Sequence, residues 1–527
     1  MKGIGLLRPG FTDLLGVFLV VLVVLGGSHR LFNDADAATH VATGLWILEH
    51  REVPIADPFS GTRAGTEWFA HEWLADLASA LAWRAGSWAG LLAAAAILIA
   101  LAHVLLFRFL VLRGDDVVAA FGAVVAAAAT ASSHWLARPH LLTVLFLVVW
   151  TLILEQVCGG RLGRGALAFL PPLALVWANV HGGFLVAFVV LGCYLAGALL
   201  HPRGRPLLGP LLAAGAVSGA CILINPWGWR LPRHLIAFFG SKGPALRATS
   251  EFAPAAFDDR AGAALLAFLV LCVAGIVCGL LWRPASRNDP PRGGTASAAP
   301  RNGTGSAARP GAADMPFHPG TLLALAVTVV MALLSIRHVE IMTVIGALVI
   351  SGGASAFLRL KADAPARALL EALRAREARC GGGALIAVFV LLSALALTGG
   401  LPRAGFDPAL FPVRAVAALR QSGTAPEGPV FSPDVWGGYL ILEWPQARVF
   451  VDGRWDMYGD DFFGRYADIY LARPGWPAPL REAGVTLALL PHDAPLVPAM
   501  QASAEWERLL ADETAVVFRR RGSIPPS

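Results

Sequence analysis

Charge is what this chain has least of. Charged residues fill 15% of its 527 positions against 56% hydrophobic, a balance that ordinary multidomain soluble proteins do not adopt. Lysine is almost missing, so arginine carries the basic side. The six cysteines (Cys158, Cys193, Cys221, Cys272, Cys278 and Cys380) form no C-x-x-C pair, which supports neither a metal cluster nor a disulfide framework. No small-residue cleavage site follows the first apolar stretch, Leu14 to Leu25, so it reads as a retained helix rather than a signal peptide. The net charge of +6 does not point to nucleic acid. The arginines sit mostly in short loops between apolar spans, which is the pattern of cytoplasmic loops.

What the chain has in abundance is apolar runs of about 17 to 25 residues, the length that crosses a hydrocarbon core. They fall near 12–29, 87–112, 116–134, 139–157, 165–180, 183–200, 207–225, 262–282, 319–335, 339–357 and 384–400. This predicts a polytopic α-helical membrane protein with about eleven transmembrane helices. With the N-terminus cytoplasmic, nearly every arginine-dense short loop falls inside. The loop 30–86 and everything after about residue 401 then emerge outside. Residues 283–318, rich in Pro, Gly, Ala and Arg, cannot bury a core and read as a disordered cytoplasmic linker. The transmembrane part is thus expected over 1–400 and a small periplasmic α/β domain over 401–527. In that domain, "PVFSPDVWGGYLILEW", "ARVFVDG", "GVTLALL" and "TAVVFRR" read as strands around turns, and "DFFGRYADIYLA" and "AMQASAEWERLLAD" as helices.

Polar residues gather on the outer face. All but His103, His201 and His318 of the thirteen histidines fall there. So do "DADAATH", "HEW", "HWLARPH", "NVHGG", "NPWGWR", "SEF" and "IRH", and polar groups at membrane level are costly and usually mark a site. In the first outer loop, Asp36, His40 and Thr43 have helical i, i+4, i+7 spacing, with Ala37, Val41, Leu45 and Leu48 as an apolar stripe well round from them. This predicts a short helix on the membrane surface, its greasy side on lipid or neighbouring helices and its acid and imidazole facing inward. "VPIADPFSGTRAG" supplies turn signals after it.

Each of these residues also has a plainer explanation. Asp34 and Asp36 could simply solvate a helix end, His40 and His71 be interfacial histidines, and Arg138 and Arg337 snorkel. Asn179 and Asn225 could cap or break helices. Their convergence on one face is what the plainer explanations leave out. The acidic run "VDGRWDMYGDDFF" reads first as an ordinary strand–turn–helix connection with a solvated acidic face, and second as acceptor binding through Asp452, Arg454 and Asp456.

An acidic pair just after the first transmembrane helix, in a long outer loop with a surface helix, resembles the GT-C superfamily of integral-membrane glycosyltransferases. These include protein O-mannosyltransferases, the aminoarabinose transferase acting on lipid A, and oligosaccharyltransferases. More closely, "DAD…H.ATG.WI.EHR.VP..DPFSGT..G..W..HEWLA", "RPHLLT", "N.HGGF", "NPWG", "WGGYLI" and "RVFVDGR.D.YG" are similar to a bacterial branch of that superfamily. The resemblance covers most of the chain outside the linker. It implies transfer of a sugar from a polyprenyl-phosphate-linked donor to a periplasmic acceptor at the inner membrane, by a single inverting displacement. The best-known members carry adjacent acids, whereas here Ala35 separates Asp34 and Asp36, so either is a candidate.

The chemistry fits these residues. A carboxylate, Asp34 or Asp36, can take the acceptor's proton. Arg138 and Arg337 match phosphate oxygens, with His140 and His338 as further donors. His40, His71 and Glu72 form an acceptor or metal neighbourhood, compatible with Mn²⁺ or Mg²⁺ but not demanding it. Asn179, His181, Asn225 and Glu251 are expected to line the cavity. A transporter or flippase of lipid-linked sugars would place polar residues at mid-bilayer with an internal repeat; no clear repeat is seen. A non-catalytic anchor for a periplasmic binding domain would leave the polar loop motifs without a role.

Overall fold

The computed structural model describes residues 8–26, 28–241, 243–281, 317–401 and 404–522. The expected linker lies outside the described residues except for Phe317 and His318. His318 accepts the Gly320 N–H at 3.1 Å, capping helix Pro319–Leu334.

Each of the eleven expected spans coincides with a helix. Among the described residues, six are long and apolar enough to cross a membrane: Trp73–Arg113, Val117–His134, His140–Cys158, Gly182–Leu200, Arg260–Leu281 and Ile336–Lys361. Shorter apolar helices are Phe11–Gly26, Arg164–Ala178, Pro319–Leu334 and Gly383–Thr398, and Leu208–Cys221 completes the set. Their interior positions are heavily Ala and Gly, which lets backbones approach closely where no hydrophobic drive separates helix from lipid. Phe18, Leu266, Val270, Val273, Ile386 and Val390 stay exposed on the outer surface of the bundle, as a lipid-facing belt requires. Helix Trp73–Arg113 is really two: Gly86 and Ser87 leave helical geometry. A Cβ on Gly86 would stand 2.8 Å from the Ala396 carbonyl, so only glycine admits helix Gly383–Thr398 there.

The surface helix forms as Asp36–His50 and rests on neighbouring helices. It packs between Trp73–Arg113 and a helix of the C-terminal region, Asp434–Glu443. Ala37, Ala38, Val41 and Thr43 are buried. The C-terminal part, not lipid, covers much of it.

That part carries a four-stranded sheet: β1 (Val430–Phe431), β2 (Leu487–Pro491), β3 (Trp506–Ala511) and β4 (Ala515–Arg520), in the order β1-β2-β4-β3. β1 runs parallel to β2, and the other pairs are antiparallel. Helix Asp460–Tyr470 lies where helix was expected. Two expectations fail. Most of "PVFSPDVWGGYLILEW" is helix Asp434–Glu443, with Trp436, Tyr439 and Leu440 at helical spacing on a buried face. Gly438 in it sits where a side chain would collide with the Ala35 carbonyl. "AMQASAEWERLLAD" is helix only to Ala502, and Trp506–Ala511 pairs with β4 instead. An open sheet edge outweighs a modest local helix preference. Val449 of "ARVFVDG" makes single bridges to Val430 and to Ser60 of the first outer loop, which fastens that loop to the sheet.

Candidate active site

The acids of "NDADA" stand at a helix N-terminus, where the exposed backbone N–H groups and helix dipole favour negative charge. Asp34 Oδ1 accepts the Asp36 N–H at 2.9 Å, which aims both carboxyls the same way. Arg138 reaches them from the loop of "HWLARPH", and Glu251 from the turn Ser250–Phe252. Arg138 Nη1 meets Asp34 Oδ2 at 2.6 Å and Glu251 Oε1 at 2.5 Å, and Nη2 meets Asp36 Oδ2 at 2.6 Å. Asp34 and Asp36 keep 29% and 31% of their side chains accessible, so the cluster faces open space.

Charges sort within it. Burial pushes the Asp36 carboxyl up to about 7; Arg138 opposes the rise and Asp34 adds to it. Burial also opposes the charged form of Glu251, but Arg138 and Arg337 win and hold it well below the usual carboxylate range. Arg138 stays firmly charged, because its three acids outweigh burial. Asp36 is thus the carboxyl poised between protonation states near neutral pH.

Beside this lies a second group. Glu72 is ringed by three imidazoles: His181 Nε2 at 3.3 Å, His40 Nε2 at 3.5 Å and His71 Nε2 at 3.7 Å. His40 donates from Nδ1 to Asp76 at 2.7 Å. Burial disfavours its cation, yet that bond and the charges of Asp76 and Glu72 hold it up at about 9. His181 Nδ1 accepts from Gly183 N at 3.0 Å and from the Thr143 hydroxyl at 2.8 Å. The proton is therefore on Nε2, directed at Glu72. Asp76 escaped sequence reasoning, although its place one helical turn after Glu72 was a legible signal.

Deeper, Arg337 lies over Phe252 at 4.6 Å and Phe239 at 5.5 Å. Among the described residues it has no carboxylate within ion-pair distance, unlike Arg138. His140 Nε2 donates to the His134 carbonyl at 3.2 Å and lies 3.7 Å from Glu340. His338 lines the same space. His134 and Glu340 are further site residues not singled out from sequence.

Two expected cavity-lining residues are corrected. Asn179 is buried and spent on backbone: its Nδ2 donates to Leu175 and Ile224 carbonyls at 2.9 Å, and its Oδ1 accepts from Trp73 Nε1 at 2.8 Å. Asn225 closes its own turn, donating to the Ile222 and Gly228 carbonyls and accepting from Trp227 N. Both hold loops rather than face the cavities.

Two large cavities meet at Arg138. One, about 530 Å³, has apolar walls from Val186, Val189, Met331, Leu334 and Ile341. The other, about 730 Å³, runs from Asp34 and Asp36 to the C-terminal domain. Glu72, Arg138, His181, Glu251 and Arg337 border both. A pocket of about 130 Å³ joins Asp36, His40, His71, Glu72 and Asp76 to Arg454 and Asp456.

The C-terminal acidic run divides: Asp460 and Asp461 are exposed, and its first half is not. Asp452 and Arg454 are buried. Arg454 holds Asp452 with two bonds of 2.7 and 2.6 Å and Asp57 of the first outer loop at 2.8 Å, and its guanidinium lies 4.5 Å from the Trp68 ring centre. Asp456 meets His234 at 3.2 Å.

With this geometry in place, the chain aligns with the crystal structure of the Archaeoglobus fulgidus oligosaccharyltransferase tethered with an acceptor peptide (TM-score 0.56, 13% identity, 91% of this chain and 68% of that one). The chain shares its fold with that oligosaccharyltransferase. ArnT from Cupriavidus metallidurans, bound to undecaprenyl phosphate, aligns with a TM-score of 0.49 at 15% identity over 98% of this chain and 99% of that one. No protein-family model and no curated protein sequence matches.

Of the expected residues, the fold brings together Asp34, Asp36, Arg138 and Glu251 directly. It sets His40, His71, Glu72 and His181 beside them, and Arg337, His140 and His338 in the adjoining cavity wall. A divalent cation fits one donor set: oxygens of Asp34, Asp36 and Glu251 lie within 4.8 Å of one another. That set includes Glu251 rather than the expected His71 and Glu72.

Proposed function

We propose that this protein is a glycosyltransferase that moves a sugar from a polyprenyl-phosphate donor to an acceptor on the outer face of a bacterial inner membrane, with the N-terminus cytoplasmic and the C-terminal domain, 401–527, periplasmic. The observation that carries the reading is the meeting of a greasy cavity and a polar one at Arg138, beside the paired Asp34 and Asp36 carboxyls. The fold shared with an oligosaccharyltransferase supports the reaction class.

In this reading the prenyl chain occupies the apolar cavity and Arg337, which has no ion-paired carboxylate among the described residues, takes the phosphate. Arg138 adds charge from the other side. Asp36 accepts the acceptor's hydroxyl proton as its oxygen bonds to the anomeric carbon. The carbon–oxygen bond to phosphate breaks, and polyprenyl phosphate leaves with the electron pair. Asp34 orients Asp36 and Arg138. The Glu72 group fixes the loop wall beside the base. If Mg²⁺ or Mn²⁺ binds, Asp34, Asp36 and Glu251 would hold it, and it would supply positive charge near the phosphate.

The test is transfer of radiolabelled sugar from membrane polyprenyl-phosphate sugars, comparing wild type with Asp36→Asn and Asp34→Asn at equal expression. Loss in Asp36→Asn with the fold intact supports the assignment. Full transfer in both variants removes it.

A further inference from the structure

The wall of the larger cavity opposite Asp36 belongs to the C-terminal domain, and it is aromatic. Phe463, Tyr466 and Tyr470 lie at i, i+3 and i+7 of helix Asp460–Tyr470, so they share one face. All three line the cavity with Trp455. The rings follow one another: Trp455 to Phe463 at 4.8 Å, Trp455 to Tyr466 at 5.7 Å, and Tyr466 to Tyr470 at 5.9 Å between centres. From Phe463 to Tyr470 the row rises about 10 Å along the helix. Gly453, two residues before Trp455, packs beside Asp36, where a Cβ would stand 2.9 Å from Asp36 Oδ1, and the row and Asp36 line the same cavity.

Asp434 stands at the base of this row. Trp455 Nε1 donates to Asp434 Oδ2 at 3.0 Å and the Tyr466 hydroxyl lies 3.2 Å from its Oδ1. Burial pushes this carboxyl up, against those hydrogen bonds. Asp456, the other acid on this wall, is engaged with His234. Among the described residues of the C-terminal domain, no lysine or arginine lines the cavity. Trp455 and Tyr466 are buried beneath this wall, so it offers the half-buried rings of Phe463 and Tyr470 and hydrogen-bonding carboxyls whose charge is damped or paired. On this wall a cationic ligand would find no free carboxylate among the described residues, and the guanidinium an anionic one would want, that of Arg337, belongs to the other side of the cavity, where the phosphate is placed. A neutral polyol wants what is present: C–H faces against rings, and hydroxyls against polar edges.

We propose that the acceptor is a neutral oligosaccharide, whose sugar rings stack on Phe463 and Tyr470, with Tyr466 supporting them from beneath, while its terminal hydroxyl reaches Asp36. The proposal rests on the glycosyltransferase reading and names the acceptor class within it.

Full-length protein in nanodiscs is applied to an array of neutral oligosaccharides, including malto-, cello-, manno- and chito-hexaoses, together with lysine-rich and serine/threonine-rich peptides. Phe463→Ala and Tyr470→Ala, both at half-buried positions, are run alongside. Wild type should retain at least one neutral glycan, and each variant should weaken that binding about five- to tenfold, the scale of one lost aromatic stacking contact. Undecaprenyl phosphate binding, measured on the same preparations, should be equal in all three. Binding of peptides only, binding of no neutral glycan, or equal glycan binding in the variants overturns the proposal. Failure of wild type to bind undecaprenyl phosphate is a separate result, and it removes the glycosyltransferase reading instead.

Discussion

Arg138 and Arg454 are built alike and placed differently. Each guanidinium is gripped by carboxylates, at least one of them from a distant part of the chain: Asp34, Asp36 and Glu251 around Arg138, Asp57 and the neighbouring Asp452 around Arg454. Around Arg454, the Asp57 and Asp452 side chains are 0% exposed, and aromatic rings cover the guanidinium. Around Arg138 the acids border cavities that a ligand can fill. The same charge pattern is a latch when sealed and a reactive site when open. Desolvation decides which, because a sealed ion network has only itself to stabilise it, whereas an open one can exchange a partner for substrate.

Breaking the open member should give the largest effect. Asp36→Asn is expected to lower kcat about 10²- to 10⁴-fold, the usual worth of a general base, with the melting temperature nearly unchanged. Breaking the sealed member should do the reverse. Arg454→Ala leaves Asp57 and Asp452 buried without a cation and should cost about 3–5 kcal/mol of stability, read from thermal unfolding in detergent. If Arg454→Ala melts like wild type, the latch description fails.

Arg337 sharpens the comparison further, being a guanidinium against aromatic rings with no ion-paired carboxylate among the described residues. Arg337→Ala should raise the KM for the lipid donor about tenfold or more, as loss of a charge-assisted hydrogen bond predicts, and change kcat less. A KM equal to wild type would place the phosphate elsewhere.

Two pH effects follow from the open site. Asp36 acts as a base only when ionised and is held near 7, so kcat/KM should rise about tenfold per pH unit below 7 and level off above it. A profile flat from pH 5 to 8 contradicts that role. The smallest effect concerns His40. Its folded-state pKa is raised to about 9, so its stabilising contribution is complete below the unfolded value of 6.5 and disappears as pH climbs through 9. Melting temperature should fall over that interval, and less so in His40→Gln.

The membrane architecture was legible because it is written locally. Each span needs only its own apolar length, and all eleven expected spans became helices. The surface helix Asp36–His50 was legible for the same reason, since its polar face repeats at helical spacing. "DPFSGT" was not. It reads as a turn, and only the arrival of Arg454 and the bridge from Ser60 to Val449 make it a docking site. Asn179 and Asn225 looked like Arg138 in sequence, polar residues at membrane level, yet their amides are spent on nearby carbonyls.

The sequence by itself determined that the chain crosses a lipid phase repeatedly and that its polar groups collect on one side, because burial cost is paid residue by residue. It also named most of the residues that meet. Tertiary structure alone decided which acid shares which arginine, since those partners lie more than a hundred residues apart, as Asp34 and Arg138 do. It likewise decided that Asp434–Glu443 is helix and Trp506–Ala511 strand, where nonlocal packing outweighed local preference. Whether a carboxylate is a latch or a base depends on the water it can still reach, and only the assembled chain sets that.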